Sequence, residues 1–187
     1  MRPGSLAAAL LAAALAGPAL AADGLRPVFG GTVTEGGETL VTVFYVDGST
    51  QKIRSGGLVH VFAGMEYDGD GFAVQANIGY HVDDSNARNG SVRFSRVPVE
   101  LLGFWKATQQ IRLGIGARKA TGGELRSSGV ATTAGGNLES TPGLVLQGEM
   151  LLGAGLRGLL RFVAEDYKTN GQRISGNHVG LGLAFRF

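Results

Sequence analysis

From Val59 to the last residue, apolar and polar side chains alternate with a period of two in seven separate segments. In GFAVQANIGYHV, residues 71 to 82, Phe72, Val74, Ala76, Ile78, Tyr80 and Val82 share one face, and Ala73, Gln75, Asn77, Gly79 and His81 share the other. The same frame collects Val59, Val61, Ala63, Met65 and Tyr67, then Val97, Val99, Leu101, Gly103 and Trp105, then Ile111, Leu113, Ile115 and Ala117. It continues through Leu144, Leu146, Gly148 and Met150, through Gly158, Leu160, Phe162 and Ala164, and through Val179, Leu181, Leu183, Phe185 and Phe187. A period of two over such lengths predicts β-strands with one apolar face. Beyond the first residues no run of 18 apolar residues and no sustained helical period occurs.

None of these apolar positions is charged. The opposite faces carry Glu66, Arg96, Glu100, Arg112, Arg118, Glu149, Arg157, Arg161, Glu165 and Arg186, together with His60, His81 and His178. Such strands build either a soluble sandwich or barrel with its apolar face inward, or a membrane barrel with its apolar face in lipid and its charges inside. Charge type favours the second. The polar faces hold Arg96, Arg112, Arg118, Arg157, Arg161 and Arg186 but no lysine, while Lys52, Lys106, Lys119 and Lys168 fall where strands end. An enclosed polar interior favours arginine, whose planar fork pairs with carboxylates and is less strongly hydrated than an ammonium.

The connections alternate in length. Short ones fall at Asp68-Gly69-Asp70-Gly71, around Thr108-Gln109 and at Gly153-Ala154-Gly155; longer ones span residues 83 to 91, 119 to 141 and 168 to 177. Short periplasmic turns opposite longer outer loops are the pattern of an outer-membrane barrel. Tyr67, Phe72, Trp105 and Phe187 lie at the short-turn end, where an interfacial aromatic girdle is expected, and Phe185 and Phe187 face lipid on the closing strand.

Composition adds an address. Arg2, the run LAAALLAAALA over residues 6 to 16, the Gly17-Pro18 break and Ala19-Leu20-Ala21 read as a cleavable secretory signal, so residues 1 to 21 are expected to leave the mature chain. The chain has 187 residues, enough for a single domain, and no cysteine, so no disulfide braces the exported protein. Its 32 glycines lack a collagen period and suit a β-rich fold with close backbones. Of 17 basic residues one is Arg2 in the leader, leaving 16 against 15 acidic, too balanced for a nucleic-acid binder.

With its leader, its dyad strands of about ten residues, its short periplasmic turns and its terminal Phe187, the chain resembles the small bacterial outer-membrane β-barrels, of the eight-stranded kind that includes OmpX and the OmpA membrane domain. The resemblance is architectural and covers residues 40 to 187. It implies an all-β, eight-stranded, antiparallel, up-and-down transmembrane barrel in the outer membrane of a Gram-negative cell. It also implies that Leu183, Phe185 and Phe187 are read by the barrel-assembly machinery, and that outer-membrane lipids and lipopolysaccharide surround the protein. Even strand parity then requires one strand more than the seven, and TLVTVFYVDGSTQKIR, residues 39 to 54, is expected to supply it, with a break at Asp47 in one long strand or a small hairpin. Residues 22 to 38 are expected to be a loosely ordered periplasmic lead-in to a barrel over residues 39 to 187.

Strand number decides more about function than any motif. A barrel of this size is filled by its own side chains, whereas diffusion channels use about 16 strands. The charged residues of the polar faces are therefore expected to form a paired internal network. The expected role is a non-enzymatic, monomeric envelope or surface-interaction protein, without cofactor or metal, whose partner protein the sequence does not identify. Lys119 and Arg126 in the longest loop, with Arg88, Lys168 and Arg173 on others, are candidates to meet lipopolysaccharide phosphates. Two alternatives stand beside this. A narrow gated pore would use the same charges, and a lipid-modifying enzyme would use His81, Asp83, Ser95 or His178 near the outer rim. His60, His81 and His178 lie on separate strands without metal-ligand spacing, Asp68-Gly69-Asp70-Gly71 lacks the distal calcium ligands, and Gly114-Ile115-Gly116 lies inside a strand with no helix to cradle phosphate.

Overall fold

A computed structural model describes residues 24–44, 48–87, 90–129, 136–169 and 171–187. The expected leader, residues 1 to 21, and Asp47 lie outside them. The strands in chain order are β1 (Leu25–Gly36), β2 (Thr39–Phe44), β3 (Thr50–Arg54), β4 (Leu58–Asp68), β5 (Phe72–Ala87), β6 (Gly90–Lys106) and β7 (Ile111–Gly129). They continue as β8 (Gly136–Ser140), β9 (Gly143–Gly153), β10 (Leu156–Ala164), β11 (Asp166–Thr169), β12 (Gln172–Ser175) and β13 (His178–Arg186).

Eight of them close a ring. Hydrogen-bonded neighbours run β1, β4, β5, β6, β7, β9, β10, β13, all antiparallel, and β13 returns to β1 from Val28↔Arg186 to Gly36↔His178. Closure leaves the wall no open edge, which is the condition for a sheet to cross hydrocarbon.

The strand that completes the barrel is β1, within residues expected to be a lead-in. Its outward face reads Phe29, Gly31, Val33, and its inward face reads Val28, Gly30, Thr32, Thr34. Thr32 and Thr34 are buried and Gly30 faces the Phe62 ring, so glycines and threonines weaken the apolar contrast that marks the other strands. The segment 39 to 54, expected to be the missing wall strand, is instead the separate two-stranded hairpin β2–β3, with Phe44 opposite Thr50.

The seven alternating segments all present their apolar sets outward. Trp105 is 63% exposed, Leu181 65%, Leu160 60% and Ile115 59%, while inward neighbours such as Leu102, Arg118 and Arg161 are buried. Burying one such side chain is worth about 1.5–3 kcal/mol, and a soluble monomer rarely exposes an apolar patch beyond a few hundred Å². A belt that runs around the whole barrel therefore requires an apolar solvent.

Turns at residues 69–71, 107–110 and 154–155 close one end. At the other end β5, β6 and β7 run on past the barrel body, pairing as far as Ala87↔Gly90 and Gly90↔Gly129. Much of residues 83 to 91 and 119 to 141, expected to be loops, is thus strand. β8, β11 and β12 add to this extension through Gly123↔Leu138 and Tyr167↔Ser140.

Candidate functional site: the barrel interior and its outer cap

All ten charged residues from the polar faces point inside the wall. Near the short-turn end, Arg112 donates from Nε to Glu149 at 2.6 Å and from Nη2 to Glu66 at 2.5 Å. Arg186 donates to Glu66 at 2.9 Å and to Asp68 at 2.6 Å, and Lys106 pairs with Asp68. Arg157 is looser, 3.8 Å from Glu149. The Arg112 guanidinium also lies 4.2 Å over the Phe104 ring. Gly114 makes room for that ring, since a Cβ there would lie 2.5 Å from it.

Toward the outer end a second group centres on Arg118. Its Nη1 donates to Glu100 at 2.8 Å and its Nε to Glu165 at 3.0 Å. Arg161 donates from Nη2 to Glu100 at 2.8 Å and from Nη1 to His60 Nδ1 at 3.0 Å. Arg96 reaches His81 Nδ1 at 2.8 Å and stands 3.9 Å from Glu165. Arginine cannot accept, so Nδ1 of both His60 and His81 is the acceptor and their protons sit on Nε2. For His81 that proton faces Gly57 O at 3.0 Å and Thr34 Oγ1 at 2.9 Å.

The three histidines, which have no spacing in the chain to connect them, form one cluster. His60 faces His81 directly in the β4–β5 register, with ring centroids 5.4 Å apart, and His178 meets His81 at 5.0 Å. Among the described residues no three His, Asp or Glu side chains have the geometry to hold a metal ion. Ser95 pairs with Val82 on the outward face, away from His81 and Asp83, which point inward.

Several members carry no signal in the sequence beyond the polar face itself. Gln147 donates to Glu149 at 2.6 Å, Gln75 to Asn77 at 2.9 Å, and the Tyr167 hydroxyl to Glu165 at 2.8 Å. Tyr167 belongs to a small apolar core above the barrel, built from Ile53, Val92, Phe94, Ala120 and Leu138, against which Leu40, Val41 and Val43 of the hairpin pack. Burial pushes the Tyr167 phenol above the ordinary tyrosine range, against the opposing pull of Arg96. Backbone bonds lock the cap: Gly37 N donates to Asn177 O at 2.6 Å, Glu38 N to Ser175 O at 2.9 Å, and Arg54 N to the Asp83 carboxylate at 2.8 Å.

The aromatic girdle residues Tyr67, Phe72, Trp105, Phe185 and Phe187 are all exposed at the short-turn end. Phe72 faces Trp105 across β5–β6, and the Phe185 and Phe187 rings meet edge to face at 4.9 Å. Of the candidate outer-loop cations, Arg126 is paired with Glu124 at 2.7 Å and Arg173 with Asp166 at 2.6 Å; the side chain of Arg88 lies outside the described residues.

An apolar belt outside, a charged interior and a closed eight-stranded wall define a small transmembrane β-barrel of the bacterial outer-membrane type. A solved structure shares this fold. Neisserial surface protein A superposes with a TM-score of 0.53 at 8% identity, covering 88% of this chain and 98% of that one. The outer-membrane protein AlkL, at 13% identity, covers 91% and 94% with a TM-score of 0.46. Ail of Yersinia pestis, solved with the heparin analogue sucrose octasulfate, is 11% identical and covers 87% and 97% with a TM-score of 0.44. No family model matches the chain, and no match was found among curated proteins.

Proposed function

We propose that this protein is a monomeric, non-enzymatic outer-membrane barrel whose interior is a filled polar plug rather than a conduit, and whose folded outer cap is the surface it offers to lipopolysaccharide or other proteins. The observation that carries this reading is that ion pairs cross the bore. Arg161 on β10 reaches Glu100 on β6 and His60 on β4, and Arg112 on β7 reaches Glu66 on β4, three strands away around the ring in each case. Side chains bonded across the middle at two levels support a filled interior.

Two further features support it. The cap core seats the β2–β3 hairpin over the outer mouth, with Ile53 fully buried. The buried Thr34–His81 pair has its imidazole Nδ1 held by Arg96, which supports the non-enzymatic reading. In the same reading, Leu183, Phe185 and Phe187 form the closing strand presented to the barrel-assembly machinery.

Planar-bilayer recording tests the plug. Purified protein should insert without stepwise conductance, and Arg112→Ala or Glu66→Ala should introduce leak by removing the cross-bore tie between β7 and β4. Steady channel steps in the unaltered protein would reject the proposal in favour of a narrow pore.

A further inference from the structure

On one side of the barrel an apolar trough in the lipid-facing wall runs into a charged rim. Gly31 is the one outward position of β1 between Phe29 and Val33, and its missing side chain opens a hollow of about 450 Å³ toward Leu181, Leu183 and Phe185 on β13. Val33 and Leu181 also belong to a second hollow, of about 650 Å³, higher on the same wall. There Leu160 and Val179 form the apolar floor, and Lys52 and Arg54 of the β2–β3 hairpin overhang it. The two hollows thus form one track, apolar below, where it reaches the girdle residue Phe185, and charged above, at the outer-leaflet end.

The rim contains a backbone outlier. Leu58, which lines the upper hollow, has a φ of 68°, a left-handed conformation that disfavours any residue with a branched side chain. Glycine would relieve it at no steric cost, so an apolar side chain is held there against the backbone's preference. Such outliers point to a role in contact rather than in folding.

We infer that this track binds one outer-leaflet lipid, with an acyl chain in the Gly31 trough and a phosphate of its head group against Lys52 and Arg54. This rests on the membrane-barrel reading above and adds a specific lipid site to it. The apolar length continues the lipid-facing belt, and the two cations stand at head-group height, where a phosphate accepts charge-assisted hydrogen bonds. Two carboxylates share the rim. Asp83 is committed to the Arg54 amide, and Glu35, at the top of the outward face of β1, opposes the anion.

The test is native mass spectrometry of the full barrel released into detergent from phosphatidylcholine bilayers doped with bisphosphorylated or dephosphorylated lipid A. Unaltered protein should retain one bisphosphorylated molecule. Lys52→Ser with Arg54→Ser should cut that population by roughly tenfold. Gly31→Leu should do the same by filling the trough, since a Cβ there meets its nearest neighbours, His60 O and Val61, at an ordinary 3.5 Å and leaves the wall intact. Glu35→Gln should raise retention, and Lys119→Ser with Lys168→Ser should not change it. Equal retention of the dephosphorylated lipid, equal retention by the double variant, or a lipid-free dimer would overturn the site. Heat-modifiable gel mobility on each sample separates the two readings: a protein that never shows a folded band in lipid sinks the membrane barrel itself, while a folded barrel without retained lipid sinks only the track.

Discussion

The Tyr167 hydroxyl donates to Glu165 Oε1 at 2.8 Å, and that bond joins the outer cap to the charged interior. Glu165 accepts from Arg118 on its other oxygen at 3.0 Å, while the Tyr167 ring packs edge to face on Phe94 at 5.5 Å within the cap core. Cap and barrel should therefore unfold together rather than in two stages.

Tyr167→Phe keeps the ring and removes only the donor to a buried carboxylate. A hydrogen bond to a charged group is worth about 1.5–3 kcal/mol, and urea unfolding in lipid vesicles should show a loss of that size. The pH dependence has a definite sign. Burial raises the folded phenol above its unfolded value, so its contribution is whole below the ordinary tyrosine range and is lost as pH rises through the folded value. Unaltered protein should lose more stability than Tyr167→Phe between neutral and strongly alkaline pH.

Arg112 and Glu149 face each other across β7–β9 as an ion pair of the inner group, and each keeps other partners, Glu66 for Arg112 and Gln147 for Glu149. Either alanine variant takes an ion-pair partner from a buried charge and should cost up to about 3–5 kcal/mol. The double variant should cost less than the sum by about 0.5–3 kcal/mol, read from the same unfolding curves. Strict additivity would mean the two residues do not act as a pair.

Gly114 lies under the Phe104 ring, so Gly114→Val should displace Phe104 from Arg112 and destabilise the barrel by about 1–3 kcal/mol. Adding Phe104→Ala should return most of the folded band on a gel, because the new side chain then occupies vacated space.

The role of β1 separates two deletions. Removing residues 25 to 36 leaves one edge of β4 and one edge of β13 open in hydrocarbon, where each unsatisfied backbone group costs several kcal/mol, and no folded band should form. Replacing residues 40 to 53 by a short Gly-Ser linker removes cap contacts only, and the barrel should still fold.

Seven wall strands were legible because each carries a full apolar face at period two, a pattern that closure in lipid demands. β1 escaped because Gly30, Gly31, Thr32 and Thr34 dilute its contrast, while the hairpin strands, with Leu40, Val41 and Val43, looked more like a wall; those side chains in fact pack against the cap core. The charged residues could be assigned to one face from sequence, but not their partners, which depend on register across the bore. The histidine cluster shows the same limit. His60 and His81 are opposite one another only because β4 and β5 pair in that register, and His178 joins them only through closure by β13.

The central claim is that the apolar face of the sheet meets acyl chains. Trp105, 63% exposed on the outer wall beside the girdle residue Phe72, is the only tryptophan in the chain and reports on it directly. In vesicles of brominated lipids its fluorescence should be strongly quenched, most by bromines near the interface, with a blue-shifted emission. Unquenched, water-like emission from protein that stays folded in buffer without detergent would contradict the account.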